Sequence, residues 1–200
     1  MLKIGITGGI GSGKTFICKM FEQLGVPVYY ADERAKFLMN NQEEVINAIK
    51  TAFGEASYKD GTLNRAYLAE NVFNNKENLT KLNNIVHPAV FKDTQNWVAQ
   101  HQDAPFVLKE AALLFETGTH TQFDKNILVT APEEVRIIRV MERDRVSKEQ
   151  VEARMKNQLP DSKKMELADF IMNNDGQTEV EKLVDKLYKY FSMNSQLKTA

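Results

Sequence analysis

The stretch Thr7-Gly8-Gly9-Ile10-Gly11-Ser12-Gly13-Lys14-Thr15 decides how this chain folds. Residues 8–15 fit the pattern G-x-x-x-x-G-K-[ST], whose glycines let successive backbone N–H groups turn inward toward phosphate oxygens. The apolar run at residues 2–7 predicts a buried strand before the loop. The apolar residues after the loop recur at helical spacing and predict a helix over 14–24: Ile17, Met20, Phe21 and Leu24. A chance glycine-rich turn lacks this context, so we expect a nucleotide phosphate site.

Each residue type in the loop has a distinct expected role. Lys14 supplies a positive charge for the β- and γ-phosphates, and the hydroxyl of Thr15 is suited to Mg²⁺. The helix that begins near Lys14 adds the positive end of its dipole. The residues expected to bind ATP here are Gly11, Ser12, Gly13, Lys14, Thr15 and Phe16.

Working outward, the pattern of the chain predicts a parallel sheet with a helical insertion. A second strand at residues 26–30 follows Gly25, which gives a strand-helix-strand opening typical of a right-handed crossover. Helical patterns then cover the segment up to about residue 102, a length too great for one crossover helix. The predicted helices there are 32–39, 43–53, 64–73 and 79–101, with a turn at 58–62. Pro88 is expected to kink or split the last helix near His87.

Strands return after the insertion, at residues 105–109 and 126–130. The remaining elements are expected to be a helix over 133–143 with Val135, Ile138 and Met141 on one side, a second helix capped by Ser147 and Gln150, a strand at 170–172, a helix over 180–191 and a frayed polar tail at 192–200. The predicted fold is therefore α/β, a P-loop parallel sheet flanked by helices. We expect a core of about 1–31, 103–135 and 168–191, a helical substrate subdomain of about 32–102 and a helical lid of about 136–167.

Composition excludes several classes of protein. Lys and Arg total 26 and Asp and Glu 27, so the net charge of −1 argues against a nucleic-acid partner bound by bulk charge. The single cysteine, Cys18, allows no disulfide within the chain, and its apolar surroundings predict a buried structural thiol. No run of 18 apolar residues and no signal-peptide pattern is present, so we expect no membrane partner and a cytoplasmic location.

Two kinds of nucleotide protein can be compared. A regulatory GTPase needs an Asn-Lys-x-Asp guanine motif after a strand. The nearest match, Asn75-Lys76-Glu77-Asn78, ends in Asn, lies in the helical insertion and is interpreted as a solvated turn between helices. A small-molecule kinase fits better, because phosphoryl transfer needs positioning, charge neutralisation and an aligned hydroxyl more than covalent chemistry.

Three features outside the loop are candidates for such a reaction. Asp32, just after the second strand, is a candidate base for an attacking hydroxyl or, equally, the N-cap of a helix beginning at Glu33. Arg136, Arg139 and Arg143 recur at spacings of 3 and 4, which favours a solvated salt-bridged face but also suits a lid over the phosphates. If the three arginines form a solvated salt-bridged face, Arg136 is expected to contribute little to phosphoryl transfer. His87 lies in the insertion, where a lone histidine is usually a structural hydrogen-bonding residue.

An ordered set of motifs resembles the dephospho-coenzyme A kinase family over nearly the whole chain. The segments that carry the resemblance are TGGIGSGKT at 7–15, Asp32, LNRAYLAENVF at 63–73, IVHP at 85–88, LLFE at 113–116, RVMERD at 139–144, Gln158 and ADFIMNNDG at 168–176. This chain has Tyr30 where the family usually has a first Asp, and Ala112 where it usually has Pro.

The resemblance implies ATP as phosphate donor, the ribose 3′-hydroxyl of dephospho-coenzyme A as acceptor, and Mg²⁺. By the same analogy Asp32 is the base, Lys14 and Arg143 stabilise the transferred phosphoryl group, and the segment from Asn173 to Gly176 lies near the adenine, with Asn173 as the residue expected to bind it. Asp32 and His87 are the residues expected to bind the acceptor. A kinase for another small hydroxyl substrate, such as a nucleotide, and a non-catalytic nucleotide sensor stay as alternatives, and the chain is expected to be a monomer or a small homo-oligomer.

Overall fold

The computed structural model describes residues 1–73 and 75–197. The chain forms two compact units, of which one combines Met1–Tyr30 with the described chain from His101 onward, and the other comprises Ala31–Gln100. Within the described ranges, no helix combines the length and the apolar character needed to span a membrane.

The elements have the following bounds. The strands are β1 Leu2–Thr7, β2 Val28–Tyr30, β3 Tyr58–Lys59, β4 Thr62–Leu63, β5 Phe106–Glu110, β6 Lys125–Thr130 and β7 Phe170–Asn173. The helices are α1 Lys14–Gln23, α2 Ala31–Asn41, α3 Glu43–Phe53, α4 Arg65–Phe73, α5 Lys76–Ala99, α6 Glu133–Asp144, α7 Lys148–Met155, α8 Asp161–Leu167 and α9 Val180–Leu197. Short 3₁₀ turns occupy Glu55–Ser57 and Thr119–Gln122.

The first unit is built on a five-stranded parallel sheet with the order β2-β5-β1-β6-β7. β1 is central, with Ile4 opposite Leu108 of β5 and Ile6 opposite Ile127 of β6, and all four side chains are buried. Strands buried on both faces read as continuous apolar runs, and this explains why the sequence pattern located them. The predicted α/β fold is confirmed, and the carboxyl ends of the strands share one edge of the sheet.

Aromatic packing closes one side of this sheet. Phe21 of α1 and Phe191 of α9 are fully buried, and both contact the ring of Phe106, with centroid distances of 6.3 and 5.3 Å. Cys18 lies in the same cluster and is fully buried, so the predicted structural thiol is confirmed. The helix after the phosphate loop is therefore fixed to the sheet by its apolar face.

The second unit has its own small core around Val45, Ile49, Phe53, Leu68 and Val86. The turn predicted at 58–62 is the tip of an antiparallel hairpin of β3 and β4. Asp60 and Gly61 at this tip have φ angles of 51° and 75°, values that suit a two-residue hairpin turn.

Three expectations about helices are changed by the structure. Pro88 does not split a helix, because α5 runs through it from Lys76 to Ala99, held by neighbours such as the buried Val86, and a kink near His87 stays a prediction. The polar tail is not frayed from residue 192, because α9 reaches Leu197 and its residue Ser195 is buried; residues 198–200 lie outside the described residues. The Asn75–Asn78 segment was expected to be a turn between helices, and this is wrong: it is the N-cap and first turn of α5, with Asn75 Oδ1 accepting from Asn78 N.

The face of α6 also differs from the prediction. Ile138 is 55% exposed, and the buried residues are Arg136, Ile137 and Val140, which pack with Val151 of α7. The capping box at Ser147 and Gln150 is confirmed. The sequence pattern did not locate α8, a two-turn helix that follows Pro160.

Candidate active site

The phosphate loop joins the end of β1 to the start of α1. Gly13, with φ 89°, is the N-cap of α1, and no described side chain caps this helix. The first backbone N–H groups of a helix have no partner within it, so those of Lys14, Thr15 and Phe16 are placed to bind an anion. The side chain of Phe16 is 51% exposed, and the group of Phe16 expected to contact ATP is therefore its backbone N–H.

The loop is closed by its own polar groups. Lys14 Nζ donates to the carbonyl oxygen of Gly8 at 2.9 Å, and Ser12 N donates to Gly9 O at 3.1 Å. Ser12 is fully buried, and its Oγ has no hydrogen-bond partner among the described residues. These contacts place an ammonium group across the mouth of a glycine-lined turn.

Glu110 is an acidic neighbour of the loop that the sequence analysis missed. It ends β5 beside β1, lies opposite Ile6 in register, and is 7% exposed. Burial raises the pKa of the Cys18 thiol, Glu110 raises it further, and Lys14 opposes this effect. Burial likewise raises the pKa of Tyr30, which lies opposite Glu110 in β2. The carboxylate of Glu110 and the ammonium group of Lys14 therefore both act on the Cys18 thiol, and Glu110 lies at the carboxyl edge of the sheet. The sequence signal for Glu110 was an acidic residue at the end of an apolar strand.

Asn174 fastens the end of the loop to β7. The side-chain Nδ2 of Asn174 donates to Ser12 O at 2.9 Å, and the backbone carbonyl oxygen of Asn174 accepts from Arg139 NH1 at 2.9 Å. A side chain at Gly13 would collide with this amide, so the glycine is needed here for close approach as well as for its φ. The neighbouring Asn173, predicted to lie near adenine, is exposed and donates to Asp175 Oδ2.

The three spaced arginines have different environments. Arg136 is 5% exposed and bonds to the loop, so the expectation that it belongs to a solvated face is wrong. It can be buried because Asp161 of α8 pairs with it at 2.6 Å. Arg139 is linked to the loop indirectly, because it bonds to Asn174, whose side chain bonds to Ser12.

Arg143 remains at the surface near the end of α6. Its side chain is 63% exposed and donates twice to Asp144, which also accepts from Arg154 NH1 at 2.8 Å. The hydrogen bonds from Arg143 and Arg154 lower the pKa of Asp144. The structure thus joins Arg143 to a surface ion-pair network beside the α6–α7 connection.

Asp32 and His87 belong to the second unit. Asp32 is exposed in the first turn of α2, and His87 is exposed on α5. Because α2 begins at Ala31, Asp32 lies inside the helix, and the alternative that it caps a helix starting at Glu33 is wrong. Two residues on, Arg34 makes a bidentate pair with Asp93 of α5, at 2.8 and 2.6 Å, which fixes the start of α2 within this unit.

The described residues contain no cluster of three or more His, Cys, Asp or Glu side chains able to hold a metal ion. Mg²⁺ in phosphate-transfer sites takes one or two protein groups and completes its shell with phosphate oxygens and water. The exposed hydroxyl of Thr15 and the buried carboxylate of Glu110 are oxygen groups of this kind at the loop. The donor set therefore fits a phosphate-bound Mg²⁺.

Comparison with known proteins gives a consistent result. The family model described as dephospho-CoA kinase matches residues 2–180. A dephospho-CoA kinase of Salinibacter ruber is 46% identical over 179 residues, covering 88% of this chain and 90% of that relative. A solved structure from Thermus thermophilus is 35% identical with a TM-score of 0.83, covering 96% of this chain and 97% of that one. The solved dephospho-CoA kinase of Campylobacter jejuni is 27% identical with a TM-score of 0.69, covering 96% and 98% of the two chains.

Proposed function

The chain belongs to the dephospho-CoA kinase family, and from this we propose that it transfers the γ-phosphate of ATP to the ribose 3′-hydroxyl of dephospho-CoA. The products are coenzyme A and ADP, the last step of coenzyme A synthesis. The observation that carries this conclusion is the family match over residues 2–180, which includes the phosphate loop with its uncapped helix start.

On the donor side, we propose that residues 11–16 hold the phosphates of ATP. The orphan N–H groups at the start of α1 support this role, since they and the helix dipole favour an anion. Lys14 would exchange its bond to Gly8 O for the β- and γ-phosphate oxygens, where its charge stabilises the transferred group. Asn173 and the turn at Asp175 are proposed to border the adenine.

Hydrogen bonds to the Asp175 side chain support a fixed turn at that position. Asp175 Oδ1 accepts from the backbone N–H groups of Thr178 and Gln177, and these bonds lower the pKa of its carboxyl group. A fixed turn is a suitable border for a flat base, because it loses little freedom on binding.

Mg²⁺ is proposed to bind with ATP, and Thr15 and Glu110 are the protein groups that would hold it. The ion would neutralise charge on the phosphates. Thr15 lies in the first turn of α1, directly after Lys14, so its hydroxyl and the phosphate-binding N–H groups belong to one rigid helix start.

On the acceptor side, we propose that Asp32 accepts the proton of the 3′-hydroxyl and that the unit of residues 31–100, including His87, binds dephospho-CoA. Asp32 is suited to this role because it is an exposed carboxylate on a helix fixed by the Arg34–Asp93 pair. Removing the proton as the oxygen attacks avoids a build-up of positive charge on that oxygen in the transition state.

Residues 136–167 are proposed to act as a lid, with Arg143 as the cation that covers the transferring phosphoryl group. The high exposure of Arg143 and its ion pair with Asp144 support this role. An ion pair at the surface contributes little free energy, so Arg143 can leave Asp144 for a phosphate at little cost. A cation that contacts phosphate only on closure stabilises the transition state more than bound ATP.

The test is an acceptor screen with Mg²⁺ and ATP in which ADP release is measured. Dephospho-CoA should support turnover at least about 100-fold above a nucleoside or nucleotide acceptor. Preferential phosphorylation of a nucleotide would favour a kinase for another small hydroxyl substrate. ATP binding without turnover of any acceptor would favour a sensor. A cytoplasmic location is also proposed, consistent with the single buried thiol of Cys18.

A further inference from the structure

Ile10, at the apex of the phosphate loop, has both of its backbone polar groups held by side chains from distant parts of the chain. Its N–H donates to Gln158 Oε1 at 2.9 Å, and its carbonyl oxygen accepts from Arg136 Nε at 3.0 Å. The side chain of Ile10 also packs against the α6–α7 cluster of Ile137, Val140 and Val151. The loop apex is therefore fixed by polar contacts on two sides and by apolar packing on a third.

Arg136 is a buried part of this contact. The side chain is 6% exposed, and NH1 pairs with Asp161 Oδ2 at 2.6 Å, an oxygen that also accepts from Thr130 Oγ1 at 3.3 Å. A side chain at Gly9 would collide with the guanidinium, so the loop leaves space for it. An arginine can serve two acceptors at once because its donors form a rigid fork.

The chain next to Gln158 is fixed by hydrogen bonding to side chains of the same unit. The next residue, Leu159, donates its N–H to Glu116 Oε1 at 3.0 Å, and the fully buried Lys164 pairs with that same oxygen at 3.0 Å. Arg136, Gln158 and Asp161 also line a cavity of about 450 Å³. Since this segment borders a cavity and not close-packed core, its hold on the loop depends strongly on hydrogen bonds.

We propose that Arg136 and Gln158 are positioning residues that set the shape of the phosphate loop for ATP. Arg136 keeps the Ile10 carbonyl bonded to its buried guanidinium, so that the negative end of this carbonyl is not turned toward the phosphates. Gln158 occupies the Ile10 N–H, and Ser12 N donates within the loop to Gly9 O, which leaves phosphate binding to the N–H groups of Gly11 and of residues 13–16. The inference rests on the proposed function, because it assumes that the loop binds ATP.

The decisive variant is Gln158→Ala, with Asn157→Ala as the matched control. Gln158 is only partly buried, so the variant should fold, and Asn157 is an exposed amide one residue away. Loss of one preorganising hydrogen bond should raise the Kd for ATP, measured by titration calorimetry, about three- to tenfold. The KM for dephospho-CoA and the thermal midpoint should stay within error of the Asn157→Ala values.

Arg136→Lys gives a second, independent measurement. Lysine keeps a positive charge for Asp161, but its single ammonium group cannot reproduce the two-acceptor fork, so the Kd for ATP should rise in the same direction. Because both residues act on Ile10, the double variant should weaken binding less than the product of the two single effects.

Unchanged ATP affinity in Gln158→Ala would overturn the proposal even if Arg136→Lys does not fold. Equal weakening of ATP and dephospho-CoA with a lower thermal midpoint would also overturn it, since that pattern reports general destabilisation. A wild-type protein that binds no ATP would contradict the proposed function itself, a result distinct from either of these.

Discussion

Replacing Asn174 with Ala tests how the loop is attached to the sheet. Asn174 is 6% exposed, and its Nδ2 donates to the carbonyl of Ser12, a fully buried residue. The variant leaves that carbonyl without its donor, which costs about 1–3 kcal/mol. For a chain of this size each kcal/mol lowers the thermal midpoint by about 2–4 °C, so we expect a fall of roughly 4–8 °C for a central value of about 2 kcal/mol.

Asn173→Ala is the matched control, measured by calorimetry under the same conditions. Asn173 is exposed, and its side chain donates to Asp175 Oδ2 in the neighbouring turn, so its loss should change stability by no more than about 0.5 kcal/mol. An unchanged midpoint in Asn174→Ala, or equal losses in both variants, would refute the argument that the Ser12 bond anchors the loop.

Three further predictions concern single side chains. Asp32→Asn should lower kcat by roughly 10²–10⁴-fold, whereas the control Glu33→Gln, in the same first turn of α2, should retain kcat. A fall in Tm shared by both variants would report only the lost interaction with the helix dipole. Retained kcat in Asp32→Asn would refute the role of Asp32 as the base. Arg143→Ala should lower kcat more than it weakens ATP binding, whereas Arg154→Ala, which removes the other partner of Asp144, should have a smaller effect; equal effects would reduce the role of Arg143 to general charge. Because burial raises the pKa of Cys18, the native thiol should react with a disulfide reagent at pH 8.5 at least about 100-fold more slowly than in the unfolded chain, and rapid labelling of the native protein would contradict its burial.

The phosphate loop and the sheet were predictable because their signals are local. Loop glycines with a lysine at fixed spacing, and apolar runs such as residues 2–7, depend on few neighbours. The capping box at Ser147 and Gln150 is similarly local, and it was located correctly. These features fixed the α/β class and the edge of the sheet where phosphate would bind.

The attachment of the loop could not be read from local patterns. Arg136 is buried because Asp161 and Ile10 supply its partners, and these lie 25 and 126 residues away along the chain. With Arg136 turned inward, Ile138 faces solvent, and so the apolar spacing of α6 indicated the wrong face. The role of Asn174 at the loop was missed for the same reason, since only the tertiary contact with Ser12 distinguishes it from the adjacent Asn173.

The continuity of α5 through Pro88 shows a different limit. Proline removes one backbone hydrogen bond and crowds the preceding turn, which is unfavourable in an isolated helix. In this chain the residues on either side, including Val86, contribute to the core of the second unit. Tertiary packing therefore outweighs the local preference, as it also does at the end of α9, where Ser195 is buried.

The most direct test of the central claim is the position of the new phosphate in the product. Wild-type protein is incubated with Mg²⁺, ATP and dephospho-CoA, and the product is examined by ³¹P NMR and mass spectrometry. We predict a phosphate monoester at the ribose 3′-hydroxyl, formed with one ADP per product, and a rate in Lys14→Ala that is lower by roughly 10²-fold or more. No monoester at that position, or undiminished turnover in Lys14→Ala, would contradict the account.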